Sequence, residues 1–497
     1  MKKIIREPLK IRKIEIALSF LHGQGRLKLR AMTFLEVAIY FIAVVMMFAG
    51  GAGAEVNEKL DYPPMKDVYL ANGLRVILIE HHEQSTISYR MLVKAAKADE
   101  PRGKEGIANY TSRFLQEGAD SKNSDEIAAE IASMGSQFNI THNPSYLIFG
   151  MDLLKAYSQK GLDLFSDIIL NPSFPADGMK RVKKEMLNAV DLEQTENETI
   201  AFNYGRALLF GCIDPLGRTK SKKSIRSISI KDIRKFYNSH YYPVNSILLV
   251  IGDFSNDEML SEIKQKFEGW TQKASAQWVK TKADYARQGR GIVVNKPRMT
   301  QAFIYMNQWG PASHDEGYYE YLIANYILGG GDFSSRLLNA VRAKGGMTYH
   351  IGSKTYIGSD YGVLHITTST RNDELYNAYK MINAEIERLN NEGITEEELR
   401  KAKDYVSGAI PLQMEAPSQI ANKILNGIMQ GFTVNDLRNE VLNFNKVTVS
   451  GVNNIIRKYI KIRNLNVVIV CDSKKVKQQL KQIGDYDIVS YKAVPCK

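Results

Sequence analysis

The stretch Ile247-Leu248-Leu249-Val250-Ile251 is an unbroken run of large aliphatic residues. A run of this length predicts a strand that is buried on both faces of a sheet. Upstream, the Asn72-Gly73 turn precedes a predicted strand at Arg75–Glu80, and a second strand is predicted at Ile87–Ala95. These segments predict a sheet-forming unit that the run 247–251 closes.

Helical spacing of apolar residues fills the region between these strands. The predicted helices are Ile107–Gln116, Asp125–Met134 with Ser124 as N-cap, Tyr157–Leu170, Asp177–Thr195 and one that begins after Ser229. Further strands are predicted near Gln137–Ile140 and Tyr146–Met151.

The same order of elements recurs downstream. Strands are predicted at Gly291–Val294, Gln301–Asn307, Tyr349–Ile357, Gly362–Thr368 and Leu465–Cys471, with helices at Tyr318–Leu328, at Arg336–Arg342 and after the capping box Thr395-x-x-Glu398. The sequence therefore predicts an α+β fold of two similar halves, at residues 55–275 and 291–497. Residues 276–290 are mostly polar without a strong period, and they are predicted to be the linker.

The net charge of +12 does not indicate a nucleic-acid partner, because more than half of it lies in residues 1–31. The rest of the chain has no concentrated stripe of Lys and Arg with interleaved aromatic residues, the pattern typical of nucleic-acid surfaces. Hydrophobic residues make up 44% and charged residues 24%, the proportions of a folded globular protein.

Residues 1–54 have the features of an export signal. A basic stretch precedes the apolar run Val37–Ala49, and Gly50–Ala54 supplies small residues for cleavage. We expect cleavage after Ala54 and a periplasmic or secreted protein. The length of the basic stretch leaves open a mis-assigned start or an uncleaved signal, and only an uncleaved signal would tether the chain to a membrane.

The three cysteines, Cys212, Cys471 and Cys496, lie far apart in the sequence. An oxidising compartment would permit a disulfide, but the sequence does not select a pair. Cys471 ends an aliphatic run and is predicted to be a small buried side chain.

Several short stretches occur in a fixed order between Val68 and Val470. They are Leu70–Leu74, Gly106–Ala108, Pro215–Thr219, His240–Asn245 leading to Gly252-Asp253, and Gly329–Leu337. As an ordered set they resemble the two-domain, mitochondrial-processing-peptidase-like branch of the pitrilysin/insulinase family of zinc peptidases. The resemblance implies that each half is a mostly antiparallel sheet packed with helices.

In active members of that family, the helix that begins with Gly-x-Ala carries His-x-x-Glu-His. Its two histidines bind zinc from one helical face, and its Glu takes a proton from the zinc-bound water. Here the matching positions hold Asn109, Ser112 and Arg113, and the family pattern places Ala189 at the distal Glu ligand. A guanidinium has no lone pair to give a metal, so the resemblance implies a chain that binds no zinc and is inactive alone.

The sequence offers no substitute metal site. Its eight histidines include no pair at i and i+3 or i+4. Glu185 and Glu193 flank Ala189 by one helical turn each, but carboxylates without imidazoles do not make this zinc site. We therefore expect no cofactor in this chain.

The family's second half contributes an Arg and a Tyr, seven positions apart, that bind the substrate backbone and the developing oxyanion. They match Arg342 and Tyr349, which follow the Gly-rich stretch Gly329–Leu337. A solvated Arg and a core Tyr at this spacing by chance are the alternative. The Gly-rich stretch lacks the Lys of a phosphate loop, so it predicts a tight turn near the cleft, and the role of Arg336 is left open.

Together, these features predict the non-catalytic subunit of a heterodimeric zinc metallopeptidase. The chain would supply Arg342 and Tyr349 to a homologous partner that carries the zinc motif, and the pair would cleave peptides. The alternatives are a scaffold or peptide-binding protein without a proteolytic role, and an active enzyme that uses unrecognised ligands.

Overall fold

The computed structural model describes residues 59–271 and 282–496. The predicted export signal, residues 1–54, lies outside the described residues. So do residues 276–281 of the predicted linker at 276–290. Within the described part, no helix is both long enough and apolar enough to cross a membrane.

Within the described residues the first sheet has six strands, and the predicted buried run 247–251 forms one of its inner strands. Its strands are β1 Met65–Tyr69, β2 Arg75–Glu80, β3 Thr86–Val93, β6 Phe138–His142, β7 Leu147–Leu154 and β8 Ser246–Gly252, and β4 Gly118–Ala119 and β5 Lys122–Asn123 form a separate small hairpin. The order is β1-β2-β8-β3-β7-β6. Only the β2–β8 pair is parallel, so the mostly antiparallel sheet is confirmed.

The second sheet repeats this plan. Its strands are β9 Gly291–Asn295, β10 Gln301–Gly310, β11 Ile351–Ile357, β12 Gly362–Arg371, β13 Asn466–Cys471 and β14 Asp487–Ser490, in the order β11-β12-β10-β13-β9-β14. Strand β13 is parallel to β9 and antiparallel to β10, as β8 is to β2 and β3. The predicted two-half α+β fold is confirmed, and Cys471 is fully buried as predicted.

Helices cover both sheets. In the first half they are α1 Ile107–Phe114, α2 Ser124–Ser133, α3 Ser158–Leu170, α4 Ala176–Glu193, α5 Asn197–Phe210, α6 Lys222–Ser227, α7 Ile230–His240 and α8 Asn256–Phe267. In the second half they are α9 Tyr318–Asn325, α10 Leu375–Glu392, α11 Glu396–Leu412, α12 Pro417–Met429, α13 Val434–Arg438, α14 Glu440–Asn445, α15 Val449–Tyr459 and α16 Lys477–Ile483.

Two helices cross between the halves. Helix α5 leaves the first half and packs on β10 and β13 of the second sheet, where Ile200 and Tyr204 join Tyr305 and Val468 in one buried cluster. Helix α12 of the second half packs in return on β3 and β8 of the first sheet. Each sheet is therefore covered on one face by its own helices and on the other by a helix of the opposite half.

Local details correct three sequence predictions. The N-cap of α2 is Asn123 rather than Ser124, because the Asn123 side chain accepts hydrogen bonds from the backbone of Asp125 and Glu126. The helix predicted at 318–328 ends at residue 325 and continues as a π-helical turn, Tyr326–Gly330. The helix predicted at 336–342 is largely a second π-helical turn, Leu338–Lys344, where the chain widens beside the Gly-rich stretch.

A disulfide joins the end of the chain to the first half. Cys212, just after α5, is bonded to Cys496, with their Cα atoms 5.0 Å apart. The Tyr204 hydroxyl of α5 donates to the carbonyl of Ala493, 3.0 Å away, so the tail lies along the crossing helix. The structure thus selects the pair that the sequence left open.

Candidate functional site

A cleft runs between the two halves and contains two adjoining cavities. The first, of about 600 Å³, is lined by Asn109, His142 and several side chains of α5, and we name it the motif-side cavity. The second, of about 700 Å³, is lined by the Gly-rich stretch and Tyr349, and we name it the tyrosine-side cavity. Both are lined by Thr199, Phe202, Tyr305 and His365, so the two cavities adjoin along these residues.

The degenerate motif positions lie on α1 at the motif-side cavity. The Asn109 amide oxygen accepts a hydrogen bond from Arg113 Nε at 3.1 Å, which shows that these two positions share one helical face. The Asn109 amide nitrogen lies 3.3 Å from His142 Nε2. Ser112 is buried and donates to the carbonyl of Asn109, so its hydroxyl is used within the helix.

The carboxylates of α4 are paired with cations. Helix α4 packs against α1, and Ala189 lies on it, half-buried. One turn before Ala189, Glu185 lies 4.0 Å from the guanidinium of Arg113, and one turn after it, Glu193 lies 2.7 Å from Lys220 Nζ. The structure therefore places Asn109, Ser112 and Arg113 on α1 and Ala189 on α4, two helices that pack against each other.

These residues do not fit a zinc ion. Amide, hydroxyl, methyl and guanidinium groups replace the ligands and the base, and the guanidinium puts a positive charge at the position of the second imidazole. Among the described residues, no three His, Cys, Asp or Glu side chains come together as a metal site. The side chains at these four positions are therefore not those of the family's zinc site.

The opposite wall is built from the Gly-rich stretch and the strand that follows Tyr349. Gly329 and Gly330 line the tyrosine-side cavity, and a Cβ at Gly329 would come within 2.6 Å of the backbone nitrogen of Ser353. Glycine is therefore required for this close approach, in agreement with the predicted tight turn. Tyr349 lines the same cavity and is 86% exposed, so its hydroxyl is available to a ligand.

Arg342 lies apart from the described walls of both cavities. It is exposed, and its guanidinium carbon is 5.3 Å from the centre of the Phe333 ring, itself 77% exposed. Arg342 and Phe333 thus form a solvent-facing pair beside the Gly-rich stretch.

Arg336, whose role the sequence left open, anchors this wall. Its Nε and Nη2 donate to the two carboxylate oxygens of Glu398 at 2.6 and 2.8 Å, and Nη2 also donates to the carbonyl of Gly393. Glu398 belongs to the capping box that begins α11, which confirms the predicted cap at Thr395. A fork-to-fork pair of this kind fixes the turn to the helix.

Sequence reasoning missed most of the ionisable groups that line the motif-side cavity. They are Lys97, Glu100, His142, Glu193, Arg206, Lys220 and His365. Burial, with the positive charges of Arg113 and Lys220, lowers the pKa of His142 to about 4. Burial, with Lys354, lowers the pKa of His365 to about 4, so both imidazoles are neutral at pH 7. The one sequence feature that points to this cavity is the stretch Phe202-Asn203-Tyr204, because it lies on α5 together with Arg206.

Family models match both parts of the chain. Residues 75–208 match the model described as insulinase (peptidase family M16), and residues 227–406 match the model of the peptidase M16 inactive domain. Together the matches span well over half of the sequence. The chain belongs to peptidase family M16, the insulinase family.

This M16 chain is similar to bacterial relatives along most of their length. It is 25% identical over 348 residues to an uncharacterized zinc protease of Rickettsia felis, covering 70% of this chain and 83% of that protein. It is 23% identical over 385 residues to the non-peptidase homolog YmxG of Helicobacter pylori, covering 75% of this chain and 86% of that protein.

Solved structures share its fold. The crystal structure of a peptidase M16 inactive domain from Pseudomonas fluorescens superimposes with a TM-score of 0.75 at 22% identity, covering 82% of this chain and 97% of that one. A protease from Helicobacter pylori gives a TM-score of 0.76 at 20% identity, covering 82% and 100%. These likenesses agree with the two-half fold described above.

Proposed function

We propose that this M16 chain is the non-catalytic subunit of a heterodimeric zinc metallopeptidase. A homologous partner that carries His-x-x-Glu-His supplies the zinc, and this chain supplies a wall that holds the peptide. The observation that carries the proposal is a contrast within one cleft. The motif positions lack the side chains of a zinc site, yet the cleft retains two adjoining cavities.

The tyrosine-side cavity supports a peptide-binding role. An exposed phenol and close-packed glycine backbone face a cavity large enough for several residues of an extended peptide. A phenol hydroxyl donates to a peptide carbonyl and to the oxyanion that forms as the peptide bond is attacked. In this role Tyr349 binds the reacting carbonyl, and Arg342, exposed beside the turn, binds the peptide outside the cavity.

The disulfide supports the proposed site of action. Disulfides such as Cys212–Cys496 form and persist in oxidising compartments, such as the bacterial periplasm and the outside of the cell. This agrees with export directed by residues 1–54 and with peptides outside the cytoplasm as substrates.

The partner is tested by purifying the tagged full chain from its native cell and identifying the bound proteins by mass spectrometry. A near-stoichiometric homologue with His-x-x-Glu-His is the expected result. Recovery of the chain alone, or within a large assembly without such a homologue, contradicts the proposal.

The roles of the two residues are tested in the reconstituted pair. We expect Tyr349→Phe to lower kcat/KM for peptide cleavage by roughly 10- to 10³-fold, the range seen when an oxyanion donor is removed. Arg342→Ala, which removes a peptide contact outside the cavity, should also lower kcat/KM, by a smaller factor. Matched controls are Tyr69→Phe and Arg400→Ala, which change exposed side chains on β1 and α11 away from both cavities. Unchanged cleavage by the two site variants would remove the assigned roles.

A scaffold or peptide-binding role without proteolysis is the second candidate. The name of the Helicobacter pylori relative, a non-peptidase homolog, favours it. Under this candidate the purified assembly binds peptides or proteins but cleaves none, and Tyr349→Phe has no effect on its composition.

A further inference from the structure

Three basic side chains converge on the motif-side cavity from different parts of the first half. Lys97 precedes α1, Arg206 lies on α5, and Lys220 lies in the loop before α6. All three are half-buried. A cavity between packed elements is an expensive place for a cation, because the charge loses its hydration shell.

Two of these cations, Lys97 and Arg206, form no direct ion pair with a described carboxylate. Lys97 Nζ donates to the carbonyl of Arg218 at 2.6 Å, and Arg206 donates through Nε to Leu216 and through Nη2 to Arg218, at 2.8 and 2.9 Å. Among the described residues, neither lies within 4.0 Å of a carboxylate oxygen, and Arg206 Nη1 has no hydrogen-bond partner. In direct contact, both cations therefore have only neutral carbonyl acceptors.

The nearby carboxylates are committed elsewhere. Glu193 is paired with Lys220 at 2.7 Å. Glu100 is buried and accepts a hydrogen bond from the backbone nitrogen of Ala108. Glu105 lies 3.3 Å from Arg218 Nε. The charge of Glu100 acts on both Lys97 and Arg206, but no described carboxylate oxygen lies within 4.0 Å of either cation.

Five aromatic side chains line the same cavity. It includes Phe202, Phe210, Tyr305, Tyr356 and Tyr361. The guanidinium of Arg206 lies 5.4 Å from the centre of the Phe202 ring, so charge and aromatic surface are adjacent. A ligand that fits this wall carries one negative group next to an apolar body.

We propose that the motif-side cavity binds a carboxylate of a peptide, with Lys97 and Arg206 as its donors and the aromatic wall around the adjoining side chain. This inference rests on the proposed function, in which peptides occupy the cleft, and it names the chemistry that the cleft selects. The carboxylate comes from a free C-terminus or from an Asp or Glu side chain.

The pH dependence of binding follows from Lys97. Burial, with the positive charge of Arg206, lowers the pKa of Lys97 to about 7, and Glu100, Lys220 and Arg218 are the other charged groups that face it. A bound carboxylate favours protonated Lys97. Carboxylate binding should therefore weaken as the pH rises from 7 towards 9, and Lys97→Met should lose that dependence.

The test is isothermal titration calorimetry of the full chain with short N-acetylated peptides that end in Phe. One peptide has a free C-terminal carboxylate, the second has a C-terminal amide, and the third has the amide and an internal Glu in place of Gln. The protein variants are Lys97→Met and Arg206→Met, with Lys235→Met, an exposed residue of α7, as the matched control. Circular dichroism checks that each variant is folded.

We expect the wild-type chain to bind the free-acid peptide at least about tenfold more tightly than the amide. Lys97→Met and Arg206→Met should abolish that preference, and Lys235→Met should keep it. If the Glu peptide binds as tightly as the free acid, the selected group is an acidic side chain, and otherwise it is the C-terminus.

Equal binding of the free acid, the amide and the Glu peptide would overturn the carboxylate proposal while leaving peptide binding, and the proposed function, intact. Binding of none of them would also overturn it. The proposed function would then be decided separately, by the purification of the zinc-bearing partner. The comparison of peptides on the wild-type chain needs no variant, so it holds even if Arg206→Met does not fold.

Discussion

The two halves of the chain build the same sheet but line the cleft with different chemistry. The strand order β1-β2-β8-β3-β7-β6 has its counterpart in β14-β9-β13-β10-β12-β11. The wall from the first half presents Asn109, Lys97 and Arg206, whereas the wall from the second presents glycine backbone and Tyr349. The fold is therefore held in common while the side chains at the cleft are free to differ.

The difference teaches which part of an M16 site depends on the fold. Helices α1 and α4 pack together although the positions that the family pattern assigns to zinc ligands hold Asn109, Arg113 and Ala189. Their packing is maintained by buried apolar residues such as Tyr110, Phe114 and Met186, which do not touch the cleft chemistry. The packing of α1 and α4 therefore does not depend on zinc ligands.

The largest expected effect comes from restoring the motif. The variant Asn109→His, Ser112→Glu, Arg113→His, Ala189→Glu should bind zinc about 10³-fold more tightly than the wild-type chain, because α1 and α4 already face each other. Zinc is measured by calorimetry and by metal analysis of the purified protein. The control omits Arg113→His. A folded variant that still binds no zinc would show that the helix geometry differs as well as the side chains.

The second prediction concerns the anchor of the opposite wall. Arg336→Met leaves the Glu398 carboxylate without its partner and should lower the free energy of unfolding by about 3 kcal/mol, measured by urea denaturation. The matched control is Arg371→Met, whose partners Asp373 and Glu374 lie more than 3.4 Å away, and it should cost less than about 0.5 kcal/mol. Equal losses would mean that the buried pair does not anchor the turn.

The third prediction compares the two crossing helices. A Cβ at Gly205 of α5 would overlap the ring of Tyr305, which is buried in the second sheet, whereas a Cβ at Gly427 of α12 would meet the flexible end of Leu437. Gly205→Ala should therefore destabilise the chain by about 1 to 2 kcal/mol, after the gain in helix propensity, and Gly427→Ala by less than about 0.5 kcal/mol. Thermal denaturation measures both. The reverse order would show that the Leu437 side chain yields less readily than the ring of Tyr305.

The smallest expected effect is the loss of stability in acid. His142 and His365 bind protons at about pH 6.5 when unfolded but only near pH 4 in the folded chain. The unfolded state therefore binds more protons between these values, and stability falls as the pH drops from 6.5 to 4. We expect about 1 kcal/mol from His365, and less from His142, which is more exposed.

The measurement is the free energy of unfolding of His365→Gln and His142→Gln at several pH values. Each variant should lose its share of the fall between pH 6.5 and 4, with the larger change for His365→Gln. A wild-type curve and a His365→Gln curve that stay parallel across this range would contradict the assignment.

The sequence alone determined the repeat and the family, and it predicts the loss of the zinc ligands. The buried runs 247–251 and 466–471, the capping boxes at Ser229 and Thr395, and the spacing of the α1 helix are local signals, each fixed by apolar periodicity or by a side chain within four residues. The prediction that the zinc ligands are substituted needed only the order of residues along the chain and a family pattern.

Only the tertiary structure decided which side chains line the cleft. Helix α5 crosses to the second sheet, and this crossing brings Arg206 and Phe202 beside Lys97, more than a hundred residues away in the sequence. The pairing of Arg336 with Glu398 and of Cys212 with Cys496 depends on the same long-range packing. Sequence patterns report which face of an element is apolar, but not which other element buries it, so contacts between distant segments appear only when the whole chain has folded.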